Sequence, residues 1–186
     1  MSNLLRTDVV GFPVNELWVA HLHIPAAKVV AADPDGILDG TALPATAGAV
    51  KIFLAQPLWP MNLTMVCSGT QTGTAVVEGL DFADNLIEEE FTLTSATPVV
   101  GVKAFKRVTK ISLPQKAGSE TIDVGWGVKF GLPDRLSADE FCIVKLFNGA
   151  ADAGTLTVDA DDLAKNVYEL AGTADGKKAI DLYYLR

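Results

Sequence analysis

Two histidines are the residues of this chain whose type and spacing most directly suggest chemistry. His21 and His23 are the only histidines, and one residue separates them in the run ELWVAHLHI. Alternate residues of a β-strand point to the same face, so the two imidazoles would lie side by side, as in a metal-binding pair. A site needs a third ligand, and the sequence has no further histidine and no CxxC pair. An Asp or Glu could complete it, but nothing marks which one, so we expect ordinary polar positions and no bound metal.

Acidic residues form two further groups. Asp33, Asp35 and Asp39, in ADPDGILDG, are spaced like the start of a calcium-binding loop, but glycine follows too early for the EF-hand pattern and no glutamate closes the loop. Asp-Pro and Asp-Gly pairs are typical of turns, which is our interpretation. Glu88 and Glu90 would share one face of a strand, where a solvated surface is a simpler interpretation than an acid–base pair.

Neither cysteine has the surroundings of a catalytic thiol. Cys67 and Cys142 lie in the apolar runs MVCSG and FCIVKLF, so we expect buried free thiols, with a disulfide between them left open. The sequence contains no GxSxG motif. We therefore predict that the protein is not an enzyme and uses no cofactor.

Two tryptophans lie beside residues that break regular structure. Trp126 lies between Gly125 and Gly127, and Trp59 lies between Leu58 and Pro60. A GxG sequence with no helix after it does not predict a phosphate-binding loop. We interpret both sites as bends that carry a packed or interfacial aromatic side chain.

The composition indicates a folded, acidic protein. The chain has 186 residues, of which 49% are hydrophobic, and a formal net charge of −8. A protein that binds nucleic acid would need a basic surface, and no such cluster is present, so we expect no nucleic-acid partner. We also expect no membrane partner, because no apolar run approaches the ~18 residues of a membrane span. The N-terminal residues lack the pattern of a secretory signal, so we expect synthesis in a reducing cytoplasm.

The elements that position all these residues are short β-strands. Roughly ten to twelve runs of strand-forming residues, separated by turn clusters, predict an all-β protein with very little helix, an antiparallel β-sandwich or barrel of jelly-roll or immunoglobulin-like type. Residues 1–15 are expected to form an extended N-terminal arm. Residues 16–186 would form a single β-rich domain with a long surface loop at 25–49.

Three individual strands are predicted from their apolar residues. Glu16–Ile24 is predicted to be a strand buried on both faces, since apolar residues fall on both. Val50–Ala55 is predicted to be a further strand. Phe141–Phe147 (FCIVKLF) is nearly all apolar, which predicts a core strand.

Several strand and turn motifs resemble, by their number and order, a widespread class of tailed-bacteriophage virion proteins. The motifs are QPLWPMNLTM, TGTAVVEGLDFADNLIEEEFTLT, VVGVKAFKRVTKISLP, IDVGWGVKFGLP, and a final pair at Asn166–Leu170 and Asp181–Tyr184. They extend over about two thirds of the chain. Met61 departs from the usual arginine, and Asp84 and Asn85 occupy a turn that often holds glycine.

The resemblance implies a capsid decoration (cement) protein, a structural virion protein that binds the outer surface of the capsid and stabilises the expanded lattice of the major capsid protein. It also implies contacts with neighbouring copies, with a homotrimer favoured. We expect contacts with these partners at residues of the arm and at the two exposed aromatics: Leu4, Leu5, Val9, Val10, Phe12, Trp59 and Trp126. Two alternatives stay open: a head-fibre module that binds carbohydrate or a receptor by stacking on the two tryptophans, and a neck or tail component.

Overall fold

The structure, a computed structural model, describes residues 18–186. Strands dominate, and the predicted all-β class is confirmed. The strands, in chain order, are β1 (Val19–Ile24), β2 (Asp33–Ala42), β3 (Gly48–Val50), β4 (Met61–Cys67), β5 (Thr72–Leu80), β6 (Leu86–Thr94), β7 (Val99–Phe105), β8 (Arg107–Leu113), β9 (Thr121–Gly131), β10 (Cys142–Phe147), β11 (Ala150–Ala151), β12 (Thr155–Thr157), β13 (Val167–Glu169) and β14 (Ile180–Leu185). Three single 3₁₀ turns lie between them, at Ala26–Lys28, Asp139–Phe141 and Leu163–Lys165.

These strands form three antiparallel sheets. The first has the order β1-β14-β10-β11, and the third has the order β3-β8-β5-β6. In the second, of order β12-β13-β9-β4-β7, the long strand β9 is central: β4 pairs with one of its edges, and β2 and β13 pair with successive parts of the other. The predicted arm, residues 1–15, lies outside the described residues.

One hydrophobic core joins the three sheets. Alternation along the strands explains how it forms, as on β6, where Phe91 and Leu93 are buried while Glu88 and Glu90 are exposed, as predicted. The largest fully buried side chains come from all three sheets: Tyr168, Tyr184, Phe91, Phe105, Phe130, Ile24, Ile37, Met61, Leu63, Met65, Ile111 and Ile122.

The predicted loop at 25–49 is wrong in its central part. Asp33–Ala42 forms β2, which pairs with β9 and buries Ile37 and Leu38. The register shifts twice along this pairing, which accommodates the turn-forming residues of DPDGILDG. Within the described residues β2 pairs along one edge only, and such a strand tolerates a proline like Pro34 better than a central strand does.

The predicted bend at Trp126 is also wrong. Thr121–Gly131 is one continuous strand, and Trp126 is 7% exposed. The flanking glycines are needed for packing: a Cβ at Gly127 would lie 2.6 Å from the Asn62 side-chain oxygen. That oxygen accepts a hydrogen bond from the Lys129 backbone N–H at 3.0 Å, so the Asn62 side chain fills the space that a Cβ would otherwise take at this point of the sheet.

Two further strand predictions require correction. The strand predicted at Val50–Ala55 ends at Val50, and the residues after it lie in a loop with Ile52 exposed. β1 is buried on one face alone: Leu22 and Ile24 are buried on the inner face, whereas Val19 is exposed on the outer face.

The strand predicted at Phe141–Phe147 is present as β10, but it is not a core strand. Ile143 is 56% exposed because it lies at a register shift between Cys142 and Val144, which turns it out of the ladder. No described residue between 18 and 186 belongs to a helix long and apolar enough to cross a membrane.

Candidate functional site

Pairing between the first and last described strands assembles a cluster of His21, His23 and Asp181. β1 places the two histidines on the outer face of the first sheet, as their spacing predicts. β14 runs antiparallel to β1 and sets Asp181 directly opposite His23, and Tyr183 directly opposite His21. Four side chains from distant parts of the sequence therefore share one face of a two-strand ladder.

The carboxylate of Asp181 lies between the two imidazoles. Its Oδ1 is 2.8 Å from His21 Nε2 and 2.8 Å from His23 Nδ1. The side chains of His21 and His23 are 44% and 51% exposed, and that of Asp181 is 22% exposed. The imidazoles are therefore accessible to solvent, whereas the carboxylate is largely covered.

Tyr183 holds the ring of His21 in place. The two rings stack with their centroids 4.3 Å apart and their planes 3° from parallel. Val144 lies opposite Tyr183 on the next strand and continues the same outward row. Partial burial works to raise the pKa of Asp181, but the hydrogen bonds from His23 and His21 outweigh it and hold that pKa below its usual range.

The cluster offers two imidazole nitrogens and one carboxylate oxygen, which are donors for a transition metal ion. Among residues 18–186 it is the one group of three such donors whose ligand atoms all lie within 4.8 Å of one another. The sequence identifies the histidine pair but not Asp181. The alternating apolar residues of Ala179–Leu185 do predict a strand that carries Asp181. To identify Asp181 as the third ligand, one would also need to know that this strand pairs with β1, which the sequence does not reveal.

Trp59 lines a small cleft. Its indole Nε1 donates to the carbonyl of Gly131 at 2.9 Å, Phe82 meets it edge-on at 5.4 Å, and the Lys28 ammonium lies 5.4 Å from its ring centroid. The cleft has a volume of about 170 Å³ and is also lined by Lys106. Whether Trp59 contacts a partner stays a prediction.

Trp126 does not lie where a ligand could stack on it. Its ring packs against Gly36, where an added Cβ would stand 2.6 Å from the ring, and its Nε1 donates to the carbonyl of Ala31 at 3.3 Å. The prediction of a partner contact or sugar platform at Trp126 is therefore wrong, because the indole is a packing residue between β2 and β9. The other predicted contacts lie outside the described residues: Leu4, Leu5, Val9, Val10 and Phe12.

An open acidic cleft of about 880 Å³ lies elsewhere on the surface. Several of its carboxylates bind the protein's own groups. Asp134 accepts hydrogen bonds from the Tyr184 hydroxyl and the Arg186 guanidinium, each at 2.6 Å. Asp159 accepts from two backbone N–H groups and from Lys165. These contacts hold loops together, so the carboxylates of Asp134 and Asp159 already have partners within the protein.

The remaining sequence candidates do not come together. Asp33, Asp35 and Asp39 form no three-ligand group within the described part of the chain. Both cysteines are free thiols. Cys67 is buried, as expected, whereas Cys142 is only half-buried.

Comparison of the chain with protein-family models, with curated proteins and with solved structures finds no significant match.

Proposed function

We propose that this protein is a structural component of a tailed-bacteriophage virion, which binds the outer surface of the capsid and stabilises the expanded lattice of the major capsid protein. The observation that carries the proposal is the ordered series of strand and turn motifs, which resembles that class of proteins along about two thirds of the chain. Their order and number are more specific than any one of them.

The positions of these motifs in the fold support a structural role. QPLWPMNLTM leads into β4, the second motif forms the paired strands β5 and β6, and IDVGWGVKFGLP forms most of β9. The third motif forms β7, which pairs with β4 in the second sheet, and β8, which pairs with β5 in the third. The motifs therefore correspond to most of the long strands of the second and third sheets, and this set of strands is the frame of the fold. A protein that clamps a lattice depends on such a frame, because its shape and rigidity position the contacts.

An exposed apolar segment offers a contact surface. Ile52 is 87% exposed and Leu54 is 71% exposed, while Phe53 between them packs against the core. The segment is anchored by a hydrogen bond from the Leu54 N–H to the carbonyl of Ile37 at 3.0 Å. Large apolar side chains held outward by an ordered backbone are typical of a surface that another protein covers. We assign this segment to contact with the major capsid protein.

Binding that is selective for the expanded lattice would stabilise it by mass action, since a ligand favours whichever state it binds. Lattice symmetry favours a homo-oligomer, and a trimer would match a threefold point. The net charge of −8 would keep a densely covered particle soluble.

The proposal is tested by co-sedimentation of the purified protein with expanded, DNA-free capsids of the phage that encodes it. The double variant Ile52→Ser, Leu54→Ser should bind at least about tenfold more weakly, since two buried apolar contacts together contribute more than about 1.4 kcal/mol. Leu86→Ser is the matched control, because Leu86 is 83% exposed on a different part of the surface. Failure of the unchanged protein to bind expanded capsids would refute the proposal.

A further inference from the structure

We propose that His21, His23 and Asp181 form a binding site for a divalent transition metal ion of the Zn²⁺ class on the outer face of the first sheet. This site is separate from the contact with the capsid proposed above. It rests on the side-chain geometry of the isolated chain, so it stands or falls independently of where the protein is located.

The arrangement has the dimensions of a metal site. Zn²⁺ binds nitrogen and carboxylate oxygen at about 2.0–2.2 Å, so the ligand atoms around one ion lie roughly 3–3.5 Å apart. The two nitrogens already lie 2.8 Å from the same oxygen, and all the ligand atoms fall within 4.8 Å of one another. Small side-chain rotations therefore suffice to admit the ion, with no change in the backbone.

The backbone that holds the ligands is ordered by pairing. β1 and β14 are paired in register from Val19 with Leu185 to Ile24 with Ile180, with no bulge at the cluster. His21 is fixed further by its stack on Tyr183. Ligands that are held on adjacent strands lose little conformational entropy on binding, which favours affinity.

The donor types select the class of ion. Imidazole nitrogen suits Zn²⁺, Cu²⁺, Ni²⁺ and Fe²⁺, whereas Ca²⁺ and Mg²⁺ prefer sites built from oxygen alone. Three protein ligands leave a tetrahedral ion one further position, open to water or to a donor from another molecule. Because the histidines face solvent, that position lies on the outside of the molecule.

A simpler role for the same residues is a hydrogen-bonded cluster that stabilises an edge strand. The two roles differ in what they predict for added metal. A hydrogen-bonded cluster gives no saturable binding, whereas a metal site binds one ion per chain and discriminates Zn²⁺ from Mg²⁺.

The test is isothermal titration calorimetry of ZnCl₂, and separately of MgCl₂, into the full chain without a histidine tag. We expect one Zn²⁺ per chain and no saturable Mg²⁺ binding. His21→Gln and His23→Gln should each weaken Zn²⁺ binding by at least the ~10–100-fold that loss of an outer-shell partner typically costs. Both residues are exposed, so circular dichroism should show an unchanged fold.

Two control variants exclude other metal donors. Cys142→Ser removes the half-buried thiol, and Glu88→Gln removes an exposed carboxylate from a different sheet. Both should leave Zn²⁺ binding unchanged. Absence of saturable Zn²⁺ binding, wild-type affinity in the two histidine variants, or loss of binding in Cys142→Ser would each overturn the assignment.

Discussion

The α-carbon of Gly125 lies against the backbone carbonyl of Asp33, so close that a Cβ at residue 125 would overlap the carbonyl oxygen. This contact brings β2 onto β9 and explains the glycine before Trp126. The contact partner is backbone, which cannot rotate away as a flexible side chain would.

Gly125→Ala should therefore destabilise the protein by about 3 kcal/mol, because the strand pair must separate to admit the methyl group. Urea unfolding followed by fluorescence measures the free energy. Gly48→Ala is the matched control, since a Cβ there meets nothing closer than 3.5 Å. A Gly125→Ala variant as stable as Gly48→Ala would show that β2 does not pack on β9 through this contact.

Tyr168→Phe should reduce the free energy of unfolding by about 1.5–3 kcal/mol at neutral pH. Tyr168 is fully buried, and its hydroxyl donates a hydrogen bond to the carboxylate of Asp152. The same carboxylate oxygen accepts from the N–H groups of Gly154 at 2.9 Å and Ala171 at 3.2 Å. Tyr183→Phe, at a half-buried tyrosine on the outer face, should change the free energy by less than about 0.5 kcal/mol.

The effect of Tyr168→Phe should depend on pH. Burial works to raise the pKa of Asp152, but the hydrogen bonds from Tyr168 and the backbone outweigh it and lower that pKa below its usual range. A carboxyl with a lowered pKa stabilises the fold above its unfolded-state pKa and loses that contribution as pH falls through its folded-state pKa. The difference between wild type and variant should therefore shrink on acidification. A difference that grows as pH falls would contradict the assignment.

Cys67 should be almost inert to thiol reagents in the folded protein. Burial, together with the negative charges of Asp123 and Glu120, raises its pKa to about 11, so little thiolate exists at mildly alkaline pH. In a Cys142→Ser variant Cys67 is the single thiol, and its reaction rate with a disulfide reagent can be read directly. We expect rapid reaction only after denaturation. A native rate equal to the denatured rate would show that the thiol is accessible.

Deletion of residues 1–15 should abolish or strongly weaken binding to expanded capsids. These residues include most of the predicted partner contacts. Their apolar residues do not recur with the spacing of a helix or a strand, so the sequence does not predict that they pack as a regular element of the domain. Unfolding of the shortened chain in urea serves as the control, with a midpoint close to that of the full chain. Unchanged capsid affinity after the deletion would refute the predicted arm contact.

The sequence predicts those strands whose side chains alternate. On β6 (Leu86–Thr94), Glu88 and Glu90 lie on the exposed face, as predicted, because polar and apolar residues alternate along the strand and the local pattern decides which face is buried. β2 is not predictable in this way, because its residues are typical of turns. Pairing with β9 and burial of Ile37 and Leu38 override that local preference.

The candidate site shows the same limit. The spacing of His21 and His23 predicts their shared face, which the structure confirms. Asp181 could not be chosen among 23 acidic residues, because its position depends on a strand pairing between distant parts of the chain. The exposure of Ile143 was likewise unpredictable, since it depends on a bulge in the pairing of β10 with β14.

The most direct test of the proposed function is the number of copies per virion, measured by quantitative mass spectrometry of purified particles against the major capsid protein. A decoration protein bound at repeated lattice positions should be present in a fixed ratio to the capsid protein, on the order of hundreds of copies per particle. Absence from the particle, or about a dozen copies or fewer as at a neck or tail, would contradict the account.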